Sequence, residues 1–241
     1  MNILIPMAGG GTRFSQNGYK DSKPLIDVNG LPMIVRVLDN LGDIGKYVFV
    51  VRENAPDYHR LVSLLWSLKP GCKIITTRHL TRGAAETCLL AKDYIQDDSL
   101  LIANCDQIED WTPQQFMNCV SVSTADGIMV TYHSNDVKNS YAEIDVNDPL
   151  KYRVSRVAEK EVISNCATTG LYYWRKGSDF VSDASNMIRK NIRTNNEFYV
   201  CPVYNETISR GGLVEIYPIF QHHPIGTPED LQKYLSRSTI K

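Results

Sequence analysis

The 241-residue sequence has little net charge. Its 26 Lys and Arg face 27 Asp and Glu, leaving −1 at pH 7. That balance excludes a general electrostatic drive toward nucleic acid or an anionic membrane, so any attraction for phosphate has to be local. Long apolar runs are missing, and no segment has the length to cross a bilayer. No basic stretch leading into a signal-like apolar core opens the chain, so a cytoplasmic location is the expectation. The six cysteines (Cys72, Cys88, Cys105, Cys119, Cys166 and Cys201) are scattered, without a C-x-x-C pair or a tight His/Cys cluster. This argues against a zinc site or disulfide framework and for small buried apolar residues. Cys105 precedes Asp106, but no base lies near it in sequence, which weighs against a nucleophile there. A P-loop ending and G-x-G-x-x-G spacing are both absent. No repeat, low-complexity tract or linker interrupts the chain.

What is present begins at the first strand. Asn2-Ile3-Leu4-Ile5-Pro6-Met7 runs into Ala8-Gly9-Gly10-Gly11-Thr12-Arg13, and Ser22-Lys23-Pro24-Leu25 follows. Glycines admit positive φ and close backbone approach, and successive N–H groups in such a turn make an anion-binding concavity. Arginine offers a planar fork to phosphate oxygens and lysine a compact point charge. A glycine turn after any first strand would explain the glycines alone, but not the attached Thr12-Arg13 and Lys23.

The first half alternates strands and helices. Apolar spacing predicts a helix over 31–41, with Pro32 first and Gly42 as its stop, and further helices over 56–68 and 83–95. Strands are predicted at 47–51, 73–76 and 99–103. The alternation implies a mostly parallel sheet covered on both faces, with ligands beyond the carboxyl ends of its strands. Gly9–Gly11 and Asp106 both fall at such ends. The second half reads as shorter strands at 127–133, 141–146, 152–158, 167–174 and 214–217. Helices are expected at 176–191 and 199–210, and Thr227 caps a last helix with Asp230 three residues on. Tyr58, Trp66, Trp111 and Trp174 read as core or surface aromatics. His222 and His223 are adjacent, so in extended chain they face opposite ways, which is poor for joint chelation.

Ala-Gly-x-Gly-Thr-Arg-Phe followed by Lys-Pro-Leu-Ile-x-Val-x-Gly-x-Pro-Met-Ile resembles the nucleotidyltransferases that activate sugar 1-phosphates, the nucleoside-diphosphate-sugar pyrophosphorylases. Leu101–Asp106, Val157–Lys160, Ser164–Tyr172 and Ile225–Leu231 resemble later motifs of that family, in family order. The resemblance implies one α/β domain over 1–241, Rossmann-like and of GT-A type, with a mixed, mostly parallel sheet flanked by helices. Residues 1–125 would bind nucleotide and 126–241 the acceptor. It implies a magnesium-dependent transfer joining a nucleoside triphosphate to a sugar 1-phosphate, with pyrophosphate released, for capsule or another surface polysaccharide. Arg13, Lys23 and Asp106 would be catalytic, with Asp106 also the metal carboxylate. Ala8, Gly9, Gly10, Gly11, Thr12, Gly83, Ala84 and Asn104 would bind the nucleotide. Glu159, Lys160, Gly170, Asn196 and Glu197 would bind the phosphorylated acceptor, although Asn195-Asn196-Glu197 equally suits a helix cap. Neither nucleic acid nor membrane is expected as a partner, and a homo-oligomer is left open.

The sequence departs from the family pattern in four places. Pro224 stands where the family has an aspartate before Ile-Gly-Thr as a second metal ligand. Glu161 replaces the proline of Glu-Lys-Pro, and Cys105 the glycine before the metal aspartate. Thr81 and Arg82 occupy the region of a base-reading glutamine. Asp106, phosphates and water could hold magnesium, with Glu197, Glu206 or Glu215 as replacement ligands. Three other readings stay open. One is a cytidylyltransferase for a non-hexose, phosphocholine-like acceptor. Another is a glycosyltransferase of related fold, although Gln107-Ile108-Glu109-Asp110 lacks its Asp-x-Asp motif. The third is a nucleotide sensor without turnover, favoured by Pro224.

Overall fold

The computed structural model describes residues 1–238, so the last three residues of the expected 1–241 domain lie outside the described residues. Strands in chain order are β1 (Asn2–Met7), β2 (Asp27–Val28), β3 (Leu31–Pro32), β4 (Lys46–Arg52), β5 (Lys73–Thr77), β6 (Leu100–Ala103), β7 (Gln107–Glu109), β8 (Gly127–His133), β9 (Ser140–Ile144), β10 (Val154–Glu159), β11 (Cys166–Trp174), β12 (Val214–Pro218) and β13 (His222–Pro224). The main sheet runs β10-β9-β11-β6-β1-β4-β5, with β8 on the other edge of β11 and β12 beside β8. It is mixed and mostly parallel: β1, β4, β5, β6, β8, β9 and β12 run one way, and β10 and β11 run against them. From β1 the chain builds outward to β4 and β5, then returns to lay β6 on the opposite side of β1. The strand order therefore reverses between β1 and β6. In an open α/β sheet, the crevice at such a switch is where ligands bind.

β1 shows why the sheet is covered on both faces. Ile3, Ile5 and Met7 join a core with Leu38, Leu65, Phe116 and Tyr173. Leu4 and Ala8 join the opposite core with Trp174, Phe180, Phe198 and Tyr204. Alternate side chains of a strand point to opposite faces, so an almost wholly apolar strand requires two coverings. A smaller core holds the C-terminal helix Pro228–Ser238 to the first segments, through Phe14, Ile26, Met33, Ile225 and Leu231.

Several boundaries differ from expectation for local reasons. The helix expected over 31–41 spans Met33–Leu41, because Leu31 and Pro32 pair with β2 first. Gly42 does end it, at φ 69°, donating its N–H to the Leu38 carbonyl. The helix expected over 83–95 is broken into Ala84–Leu89 and Lys92–Ile95. The helix expected over 199–210 is shortened to Val203–Ser209, with Pro202 as its N-cap. Thr227 caps the last helix as expected: its hydroxyl accepts the Asp230 N–H at 3.2 Å and donates to the Asp230 carboxylate at 2.7 Å. Pairing of β13 with β7, and the helix Pro113–Val122, had no expectation.

Trp174 is fully buried, stacked on Tyr204 at 4.1 Å and 6°, with its indole N–H on Thr207 Oγ1 at 3.3 Å. Trp174→Ala opens a cavity at the centre of one core. It is expected to cost about 3–5 kcal/mol, read as a lowered urea midpoint with an unchanged slope. A loss below about 1 kcal/mol would show that the site collapses around the gap.

Candidate active site

One cleft of about 1780 Å³ crosses the carboxyl ends of β1 and β6 and continues to the ends of β10 and β11. That volume exceeds the roughly 300–1,000 Å³ typical of a single small-ligand site, leaving room for two reactants. Every expected site residue lines it except Asn196.

One end of the cleft is built by the glycine loop. β1 empties into Gly9–Gly11, and Gly11 takes φ 62° before the short helix Thr12–Gln16 that carries Arg13. Lys23 follows in a 3-10 turn, Lys23–Leu25, whose Pro24 and Leu25 are buried. The Ser22 N–H fixes that turn to Asp57 Oδ2 at 2.7 Å. Held there, the Lys23 ammonium donates to Asp106 Oδ2, from a carboxylate 83 residues away. Burial works to lower the Lys23 pKa and Arg13 adds to that, but Asp106, through charge and hydrogen bond, together with the neighbouring Cys105 turns the net shift upward. Guanidinium, ammonium and carboxylate thus share one end of one cleft.

The strand β13 brings the C-terminal motif to the same place. Its pairing with β7 sets Pro224 opposite Gln107, and the Ile225 N–H donates to the Asp106 carbonyl at 2.9 Å. Gly226 then lies flat on the Asp106 side chain: a Cβ there would sit 2.2 Å from Oδ2. Beneath them, buried Glu109 accepts or shares a hydrogen bond with His222 Nδ1 at 2.8 Å, while His223 packs toward Tyr234. The two histidines face apart.

The family model for MobA-like NTP transferase domains matches residues 3–225. The chain belongs to that family. It is a nucleotidyltransferase. No curated protein sequence matches it. Among solved structures, the nucleoside-diphosphate-sugar pyrophosphorylase of Vibrio cholerae RC9 superposes with a TM-score of 0.83, over 97% of this chain and 99% of that one, at 24% identity. A UDP-glucose pyrophosphorylase complexed with UDP-glucose gives 0.78 over 99% and 98%, at 15% identity. The inositol-1-phosphate CTP transferase of T. maritima gives 0.75 over 100% and 96%, at 16% identity. At these identities the likeness establishes the fold.

In this transferase two glycines of the cleft lining also make room for protein neighbours. A Cβ at Gly83 (φ 141°) would lie 2.4–2.5 Å from backbone atoms of Phe198. The Phe198 N–H donates to the Arg82 carbonyl and its carbonyl accepts from Ala85, so Gly83 makes room for the protein's own chain at Phe198. Gly170 (φ 96°) sits in a bulge of β11, where a Cβ would strike Gln107 Oε1 at 2.0 Å and Asn104 Nδ2 at 2.3 Å. The space on its Cβ side is filled by those two side chains.

At the far end, Glu159 receives the Ser140 hydroxyl, and burial pushes its carboxyl above the usual range. Lys160 takes φ 57°, and its ammonium donates to the Tyr199 hydroxyl at 2.5 Å. Asn195 and Asn196 (φ 48° and 64°) form a tight turn closed by Thr194 and Glu197, so the segment caps no helix, and Asn196 points away from the cleft lining. Tyr199 is a cleft residue the sequence reading missed. Its signal was the alternation Phe198, Tyr199, Val200, in which the middle residue must leave the core. Cys105 is buried, and burial pushes its thiol up to about 11, so it is a thiol at neutral pH.

A divalent metal is general in the family. Among the described residues no group of three or more His, Cys, Asp and Glu could hold one. Glu206 is paired with Lys190 and Glu215 accepts from Ser123, both outside the cleft. The donor set at Asp106 therefore fits an ion bound through one carboxylate and completed by phosphates and water, which is magnesium's habit.

Two outcomes follow from this geometry. Gly226→Ala forces the Asp106 carboxylate to shift, at an expected cost of about 1–3 kcal/mol in a denaturant titration. A neutral result would mean that β13 yields. Glu159 binds its proton more tightly folded than unfolded, so its contribution to stability is full below 4.5 and declines as pH rises through its raised folded value. Glu159→Gln removes that decline. The variant's stability relative to the parent should therefore grow between about pH 4 and pH 7. A flat difference would show an ordinary carboxyl.

Proposed function

We propose that this enzyme joins a nucleoside triphosphate to a sugar 1-phosphate, giving a nucleoside-diphosphate sugar and pyrophosphate. The observation that supports it best is the Lys23–Asp106 pair at the β1/β6 switch, with Arg13 beside it and Lys160 in the same cleft. Attack of one phosphate on another brings anions together, so catalysis is chiefly alignment and charge neutralisation. In this reading the glycine loop, Ala8, Thr12, Gly83, Ala84 and Asn104 surround the nucleotide. Arg13 and Lys23 hold the phosphates that leave. Lys160 receives the acceptor's phosphate, and Glu159 and Glu197 accept from its hydroxyls. Asp106 would hold a magnesium ion, whose charge would neutralise phosphate oxygens. Residues 1–125 serve the nucleotide and 126–241 the acceptor. A cytoplasmic location and a role in surface polysaccharide supply belong to the same proposal. Among the described residues no helix is long and apolar enough to cross a membrane.

A second reading has its own support. Pro224 carries no ligand where the family's second carboxylate stands, and a fold neighbour of T. maritima is an inositol-1-phosphate CTP transferase. A cytidylyltransferase for a non-hexose acceptor, phosphocholine-like or a phosphorylated polyol, fits both. Pyrophosphate release over a panel of triphosphates, each paired with hexose 1-phosphates, inositol 1-phosphate and phosphocholine, separates the two. Lys23→Ala and Asp106→Ala are each expected to lower turnover by roughly 10²–10³-fold with the fold retained. Near-parental rates in either variant would remove that residue from the mechanism.

A further inference from the structure

We propose that Tyr199 is a second ligand for the acceptor's phosphate, acting as a pair with Lys160; this rests on the transferase reading above. The backbone leads to the pairing. Lys160 stands in the left-handed region at φ 57°, where few side chains other than glycine or asparagine sit, and its N–H is fixed on the Asn139 carbonyl at 2.9 Å. Strain of this kind persists where the surroundings impose it and is concentrated at ligand sites. Its effect here is to carry the ammonium over the Tyr199 ring, 4.6 Å from the centroid, and onto the phenol oxygen at 2.5 Å.

Tyr199 is fixed just as firmly. Phe198 before it is fully buried, hydrogen-bonded to Arg82 and Ala85, with its ring between the guanidiniums of Arg82 and Arg193 at 5.1 and 4.5 Å. Val200 after it is buried too. Alternation then turns Tyr199 into the cleft. Burial holds the phenol protonated, above its ordinary value of 10.0. Its oxygen accepts from Lys160, so its own O–H is left to donate, and among the described residues nothing accepts it. The ammonium likewise keeps two of its three donors. Two adjacent, pre-set donors of one positive charge suit a phosphate monoester. Glu159 and Glu197, whose charges both act on the phenol, suit the hydroxyls of the same molecule.

The test is kinetic and spectroscopic. With the best pair from the panel, Tyr199→Phe keeps the ring beneath Lys160 and removes only the hydroxyl. The acceptor KM should rise roughly tenfold or more, while the triphosphate KM stays within about twofold. Tyr199→Ala, which also removes the ring, should raise it further. A second reading needs no turnover: protein labelled with ¹³C at lysine Cε, its Lys160 signal assigned with Lys160→Arg, is titrated with inorganic phosphate. The Lys160 signal should move, and Tyr199→Phe should weaken that titration severalfold. If no pair turned over yet the titration behaved so, the transferase reading would fall and the phosphate site would stand. An unchanged acceptor KM in Tyr199→Phe, equal rises in both KM values, or a Lys160 signal indifferent to phosphate would each overturn the proposal.

Discussion

The reversal of strand order between β1 and β6 is the constraint on which the rest depends. A parallel pair leaves its two carboxyl ends side by side, and the chain leaving each must turn there. β1 delivers a glycine loop to that point and β6 delivers Asn104-Cys105-Asp106. The loop needs no Cβ clearance at Gly9, which meets nothing within 4 Å, and it carries the chain toward Lys23. The Lys23–Asp106 pair closes the gap. Partly buried ion pairs of this kind are poor sources of net stability, because desolvation offsets most of the attraction. Burial does oppose the charge on Lys23, and the shift is reversed chiefly by Asp106. In the proposed reaction, phosphate oxygens could replace Asp106 as the partner of Lys23, so the lysine's charge would not be left unmatched when a triphosphate binds.

Much of this was legible from one strand and a few punctuating residues. An all-apolar β1 requires two covered faces, and a run of glycines at its end marks a ligand side. The lysine before Pro24-Leu25 is pinned because those two residues have nowhere to go but the core. What stayed hidden depended on pairings between distant segments. β7 and β13 are three residues each, too short for a periodic pattern, and they join positions about a hundred residues apart. The helix over 84–95 breaks at Leu90–Ala91, and the one expected over 199–210 starts only at Val203, behind Pro202, boundaries that apolar spacing alone does not mark.

The glycines carry information that the sequence leaves hidden. Gly83, Gly170 and Gly226 each lie on the cleft. In all three cases the close neighbour is protein: the Phe198 backbone, the Asn104 and Gln107 side chains, and the Asp106 carboxylate. The absence of a Cβ positions polar groups that themselves face the cleft. Substitutions at these glycines would therefore act on the ligand side through Asn104, Gln107 and Asp106, by displacement of those groups.

Phe198 gives this arrangement its reach. Its N–H and carbonyl are tied to Arg82 and Ala85, at the start of the helix beside the nucleotide end. The next residue, Tyr199, holds Lys160 at the acceptor end. The segment at Phe198–Tyr199 thus ties the region around Gly83 to Lys160, and Gly83 is the position that lets Phe198 pass. A rigid connection of this kind fixes the spacing between the two ends without any moving part. In-line transfer between two bound phosphates demands just such a fixed spacing, since misplacement by about 1 Å can cost roughly 10²-fold in rate. In the proposed reaction, the nucleotide side and the acceptor side would be held in register by the same hydrogen bonds that fold the segment.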